Sequence, residues 1–176
     1  YSKFTLNTVY STFSLKKENV ELFNQVQPIE PSLWLKETLK NSKIIPLISE
    51  KARSEQIVSP ILSELVRNNP GKIALYSGVD MNADPDSGLN GECDFLITRG
   101  YQTVYPTAPI FCLIEAKENN IKAGLGQCVA QMVSARMFNE NEGIDVDTIY
   151  GCVTTGEDWQ FLKLQENIIV VDAKRY

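Results

Sequence analysis

The sequence predicts an α/β or α+β layer fold in which helices flank a central mixed β-sheet. Apolar residues recur with helical spacing over 57–66 and again over 123–138. Short apolar runs typical of strands occupy 93–99, 109–117 and much of the tail from 148 to 172. Helical stripes that alternate with such runs predict that the strands form one central layer.

The chain has 176 residues, a length that suits one domain able to bury a core. We expect a single unit, 1–176, composed of an amino-terminal helical extension, 1–50, and a core, 51–176. Within the extension, the apolar residues from Pro31 to Leu39 predict a short helix, because proline is tolerated in a first helical turn.

The stripe over 57–66 ends at Asn69-Pro70-Gly71, a strong stop signal. Pro60 interrupts the stripe, because proline lacks an N–H donor and its ring crowds the preceding turn. Two alternatives follow. Either the helix kinks at Pro60, or Ser59 caps a shorter helix that has Pro60 in its first position.

The order of the remaining elements follows from alternation and turn residues. Residues 72–79 predict a strand, and the acidic loop after it is rich in turn formers. A helix over 123–138 follows the strands at 93–99 and 109–117. The tail then predicts a meander with strands at 148–154, 159–164 and 168–172.

Composition excludes several chemistries. The absence of histidine rules out Ser-His-Asp, Cys-His and most zinc sites. A net charge of -5 argues against a general nucleic-acid coat protein but leaves room for a local basic groove. The four cysteines lack CxxC spacing and lie in apolar runs, which predicts reduced core thiols and a cytoplasmic protein. No apolar run approaches the ~18 residues of a membrane span, although a removed signal peptide ahead of Tyr1 stays an alternative.

The charged residues inside two apolar runs indicate a site. Asp94 lies in GECDFLIT, and Glu115 and Lys117 lie in PIFCLIEAK. Because strand side chains alternate, Glu115 and Lys117 project from one side while the opposite side is apolar. Charges at the end of a buried strand are costly to place there. A hard cation with oxygen ligands explains both acids at once.

Asp94 and the triplet Glu115-Ala116-Lys117 resemble the active site of the PD-(D/E)XK nuclease superfamily, which has the restriction-endonuclease-like fold. The resemblance covers roughly 53–164. Cys93 replaces the proline that names the motif, and the aspartate remains. The resemblance implies a nuclease that cuts DNA, with RNA as the alternative.

The resemblance also implies roles for these residues. Asp94, Glu115 and the backbone carbonyl of Ala116 would hold Mg²⁺ or Mn²⁺. Lys117 would hold or deprotonate the attacking water, or stabilise the phosphorane. Neighbouring acids raise the pKa of a lysine and burial lowers it, and the sequence leaves open which prevails.

Members of the family often carry a glutamate on the helix before the sheet and a glutamine on the helix after it. Glu55 matches the first and would bind a second metal or a water, with Glu64 as a rival. Gln127 matches the second and would position metal, water or phosphate. Gln131 lies one helical turn away on the same face, and two solvent-facing amides are the alternative.

Other interpretations stay open at this point. Glu115 and Lys117 alone suit a salt bridge at a solvated strand end. A binding module of nuclease fold, with a weak or silent site inside a larger assembly, is the alternative function. A homodimer is a further expectation, and no sequence feature identifies its interface.

Overall fold

The computed structural model describes all residues, 1–176, as an α+β fold with a seven-stranded mixed sheet flanked by helices. The helices are α1 (Leu6–Thr12), α2 (Leu33–Ser42), α3 (Glu50–Arg53), α4 (Ser59–Arg67) and α5 (Ile121–Asn141). The strands are β1 (Lys16–Val20), β2 (Ile73–Asp80), β3 (Glu92–Arg99), β4 (Ile110–Ala116), β5 (Thr148–Thr154), β6 (Trp159–Gln165) and β7 (Ile168–Asp172). The predicted layer fold is confirmed at this level.

The strand order is β1-β7-β6-β5-β4-β3-β2. Two neighbouring pairs are parallel, β1 with β7 and β4 with β5, and the other pairs are antiparallel. The parallel pair β4 and β5 is joined by α5, as a parallel crossover requires. The predicted tail meander is confirmed as β5, β6 and β7.

The amino-terminal extension is not wholly helical, and the prediction for 1–50 was wrong there. β1 pairs in parallel with β7 and forms one edge of the sheet. All its side chains are exposed, so no alternation of apolar residues marks it in the sequence. β1 is an edge strand because it pairs only with β7. Charged side chains such as Lys16 and Lys17 are typical of edge strands.

The helix around Pro60 is continuous from Glu50 to Arg67 and contains a π-helical turn, Ser54–Val58. The N–H of Ser59 donates to the carbonyl of Ser54, which shifts the hydrogen-bond register by one residue just before Pro60. The wider turn accommodates the missing donor and the ring of proline. The side chain of Ser59 caps nothing, so the alternative of a shorter capped helix was wrong.

Helices cover both faces of the sheet. α5 packs against β4 and β5 in a large core that contains Leu113, Met132 and Val153. A smaller core on the other face joins Val58 and Leu62 to residues such as Ile114. All four cysteines are free thiols, as predicted. No helix combines the length and the apolar character needed to cross a membrane.

The contact between α1 and α5 depends on Gly126. A Cβ atom there would lie 2.4 Å from the carbonyl oxygen of Phe4, so the two backbones touch directly. We expect Gly126→Ala to lower the free energy of unfolding by roughly 1–3 kcal/mol, although alanine has the higher helix propensity. Urea unfolding measures this. Lys122→Ala, at an exposed position of the same helix, is the control and should change stability little. A Gly126→Ala protein as stable as the parent would contradict the prediction.

Candidate active site

The antiparallel pairing of β3 and β4 brings Asp94 and Glu115 together. Phe95 pairs with Ile114, so the next position of the register sets Asp94 opposite Glu115. Residues directly opposite in an antiparallel pair project from the same face. The N–H of Ala116 donates to Oδ2 of Asp94 at 2.8 Å, which holds this carboxylate at the end of β4.

Glu115 is the most buried acid of the site, with 1% of its surface exposed. Its Oε1 accepts a hydrogen bond from Nζ of Lys117 at 2.5 Å. Its Oε2 accepts one from Nε2 of Gln131 at 2.8 Å. Both carboxylate oxygens therefore have a protein donor, and the salt bridge is buried rather than solvated.

Burial raises the pKa of both strand acids. Burial, and then the charge of Asp94, raise the pKa of Glu115 to about 7, against the opposing effects of Lys117 and Gln131. Burial also raises the pKa of Asp94, while the N–H of Ala116 opposes the rise.

Lys117 keeps its charge in this environment. Burial lowers its pKa, but the hydrogen bond and charge of Glu115, together with Glu50 and Asp94, outweigh burial and raise it. Its Nζ lies 3.7 Å from Oε1 of Glu50, and 18% of its side chain is exposed. An ammonium with a raised pKa stabilises negative charge and is a poor base.

The stem of Lys117 passes over a glycine of α5. A Cβ atom at Gly124 would lie 3.1 Å from Cγ and 3.2 Å from Cε of Lys117, and 2.7 Å from Cγ1 of Val153. Glycine at this position lets the first turn of α5 approach the end of β4. At Gly124 and at Gly126 the space that a Cβ atom would need is therefore occupied by other parts of the protein.

A cavity of about 360 Å³ opens beside the strand ends. Asp94 and Ala116 line it from the sheet, and Glu55 lines it from the π-helical turn. The other lining residues are Glu50, Lys51, Ser54, Ser77, Gly78 and Glu92. The cavity is therefore accessible, polar and rich in carboxylates.

Of the two glutamates predicted on the preceding helix, neither touches the strand acids. Glu55 lines the same cavity as Asp94, but it is mostly exposed and its carboxylate lies 3.8 Å from Nζ of Lys51. Glu64 is buried and accepts hydrogen bonds from the N–H and the hydroxyl of Ser32. It thereby anchors the start of α2 and is structural.

Gln127 lies apart from the strand acids. It lines a separate cavity of about 740 Å³ beside the first residues of the chain, Tyr1 to Phe4. Gln131 instead makes the hydrogen bond to Glu115 and is fully buried, so the alternative of solvent-facing amides is wrong for it. Its position one helical turn after Gln127 was the only sequence signal for this role.

The donor set around Asp94 and Glu115 fits a small hard cation. No cluster of three or more Asp, Glu, Cys or His side chains is close enough to hold a metal on its own. Mg²⁺ is commonly held by one or two carboxylates together with waters and substrate phosphates, so two carboxylates are sufficient. Oxygen ligands favour Mg²⁺ or Mn²⁺ over softer metals.

No protein-family model matches the chain, and no curated protein matches it significantly.

Proposed function

We propose that this chain is a metal-dependent nuclease of the restriction-endonuclease-like fold that hydrolyses phosphodiester bonds of DNA. One observation carries the proposal: Asp94 faces Glu115 across the β3–β4 pair, Lys117 is hydrogen-bonded to Glu115, and Asp94 lines an open polar cavity. The residues are those of the motif, and burial together with the charge of Asp94 raises the pKa of Glu115 to about 7, a perturbation typical of functional sites.

The surrounding elements support the same proposal. A helix precedes the sheet, β3 and β4 form an antiparallel hairpin, and α5 follows directly after the triplet Glu115-Ala116-Lys117. α5 then leads to β5, which is parallel to β4. The order of helix, motif-bearing hairpin and helix is the order that the resemblance implies.

Each residue has a task in phosphodiester hydrolysis. Asp94, Glu115 and the carbonyl of Ala116 would hold the cation. Mg²⁺ or Mn²⁺ would supply Lewis acidity at the scissile phosphate. Lys117, charged at neutral pH, stabilises the negative charge that develops on the phosphorane and orients the attacking water. Its raised pKa favours these roles over deprotonation of the water.

A cleavage assay tests the proposal. Plasmid DNA, single-stranded DNA and RNA are incubated with the protein in Mg²⁺, in Mn²⁺ and in EDTA. We expect DNA cleavage that requires the divalent cation and disappears in Asp94→Asn. Glu118→Gln, which removes an exposed carboxylate next to Lys117, is the control and should cleave like the parent. Cleavage that persists in EDTA, or in Asp94→Asn, would contradict the assignment of the site.

A binding module with a silent site is the second candidate. The observation that favours it is the charge around the cavity, where Glu50, Glu55 and Glu92 outnumber Lys51. Such a rim repels phosphate unless divalent cations bind there. Failure to cleave any substrate while Mn²⁺ binds weakly or not at all would favour this second function.

A further inference from the structure

The hydrogen bonds of Glu115 raise a question about how this carboxylate accepts a cation. Its Oε1 is bonded to Nζ of Lys117 and its Oε2 to Nε2 of Gln131. An ammonium that is bonded to a carboxylate oxygen places a positive charge where a metal cation would have to bind, and the two charges repel each other. Ligation through Oε1 therefore requires Lys117 to move away from that oxygen.

Gln131 is the donor that stays. It lies fully buried in the middle of α5, and its Oε1 has no hydrogen-bond partner. A buried amide with one unpaired group is costly already, and losing the bond to Glu115 would leave its Nε2 unpaired as well. Gln131 therefore holds Oε2 and fixes the orientation of the carboxylate.

Lys117 is the donor that can move. Its side chain is partly exposed and flexible, and its ammonium lies near Glu50, a residue that lines the open cavity. An ammonium displaced from Oε1 needs another acceptor, because a partly buried charge without a partner is costly. Glu50 is the only carboxylate apart from Glu115 that lies within salt-bridge distance of Nζ, at 3.7 Å.

Glu50 is well placed to accept this ammonium. It is the first residue of α3, and the hydroxyl of Ser49 caps this helix by accepting from the N–H of Ala52. The first turn of a helix favours a negative charge. Glu50 also lines the cavity together with Asp94, and about half of the Glu50 side chain is exposed. A short rotation of the Lys117 side chain brings its ammonium to the Glu50 carboxylate.

We propose that Glu50 is a positioning residue that receives the ammonium of Lys117 when Oε1 of Glu115 takes a divalent cation. This inference rests on the proposed function. Lys117 neutralises Glu115 in the metal-free protein, and on exchange it turns towards the cavity where the substrate phosphate lies. Glu50 thus couples the binding of the cation to the placement of the catalytic lysine.

Titration with Mn²⁺ tests the coupling without any measurement of cleavage. Glu50→Gln and Glu55→Gln remove the same charge from the same cavity, but only Glu50 contacts Lys117. The general loss of attraction for cations is common to both variants. We expect Glu50→Gln to bind Mn²⁺ about tenfold more weakly than Glu55→Gln, by calorimetry or electron paramagnetic resonance. Equal affinities of the two variants would overturn the inference.

The same pair of substitutions in a Lys117→Met background shows how Glu50 acts. Without the ammonium there is nothing to receive, so the difference in Mn²⁺ affinity between the two variants should disappear. A difference of the same size in that background would mean that Glu50 ligates the cation directly, and would overturn the proposed role. Glu50→Asp, which keeps the carboxylate, should recover part of the affinity.

The outcomes separate this inference from the proposed function. If the parent cleaves DNA with Mn²⁺ and the two glutamine variants bind the ion alike, the nuclease stands and the role of Glu50 fails. If the parent neither binds Mn²⁺ nor cleaves, both fail together.

Discussion

Lys117→Ala is expected to lose cleavage while divalent-cation binding survives. The substitution removes the ammonium that stabilises the phosphorane but leaves Asp94 and Glu115 in place. We expect the rate to fall by about a hundredfold to a thousandfold, the effect typical of removing a group that stabilises developing charge. Mn²⁺ should bind at least as tightly as to the parent, because Oε1 of Glu115 no longer holds an ammonium.

Three further variants serve as comparisons for Lys117→Ala. Lys122→Ala removes an exposed lysine from the first turn of α5 and should cleave like the parent. Asp94→Ala and Glu115→Ala each remove an oxygen ligand and should lose both cation binding and cleavage. A Lys117→Ala protein that is strongly destabilised yet cleaves at the parental rate would show that the residue is structural. The binding-module function would then be preferred.

The metal-free protein is expected to lose stability as the pH rises, and Glu115→Gln should remove much of that loss. Burial and Asp94 raise the pKa of Glu115 from 4.5 to about 7. Below the unfolded value, both states carry the proton and the group contributes nothing to stability. Between the two values only the folded state keeps the proton, so the free energy of unfolding falls as the pH increases. The full penalty, on the order of 3 kcal/mol, is reached above the folded value.

Urea unfolding in EDTA between about pH 5 and pH 8 measures this slope. Glutamine does not ionise, so Glu115→Gln should lose no stability through ionisation at this position. Its free energy of unfolding should therefore exceed that of the parent at the alkaline end. The raised pKa of Asp94 acts in the same direction. Glu118→Gln is the control, since its side chain is exposed. Parallel curves for the parent and Glu115→Gln would show that the carboxylate carries no penalty.

Addition of Mg²⁺ provides an independent check on the same slope. A cation bound to ionised Glu115 offsets the repulsion from Asp94 and stabilises the folded state by mass action. The parent should then gain most stability at the alkaline end of the range, where metal-free Glu115 is penalised most.

Several elements followed from local pattern alone. The strands predicted at 93–99 and 109–117 match β3 and β4 to within a residue at each end, and 168–172 matches β7. Such buried strands are marked by continuous apolar runs bounded by polar or turn residues. α5 is longer than the predicted 123–138: it begins earlier, at the buried Ile121, and it ends later because its last residues, Asn139 to Asn141, are polar and lie outside the apolar stripe.

β1 and the π-helical turn required tertiary information. β1 is held by backbone hydrogen bonds to β7, a segment about 150 residues further along the chain, and none of its side chains enters the core. The π-helical turn depends on how the chain accommodates Pro60 while Val58 and Leu62 remain in the core. Neither feature leaves a periodic signal in the sequence.

The sequence by itself determined that Asp94 and Glu115 lie on strands, and that Glu115 and Lys117, which directly follows β4, share one face. Strand geometry alone requires this, because the side-chain period of two is local. The tertiary structure decided which residues complete the site. Gln127 and Gln131 share one helical face in the sequence, but the rotation of α5, set by its contacts with α1 and β4, brings only Gln131 to Glu115. The approach of α3 to the strand ends likewise puts Glu50, and not Glu55, within reach of Lys117, since packing between distant segments sets that distance.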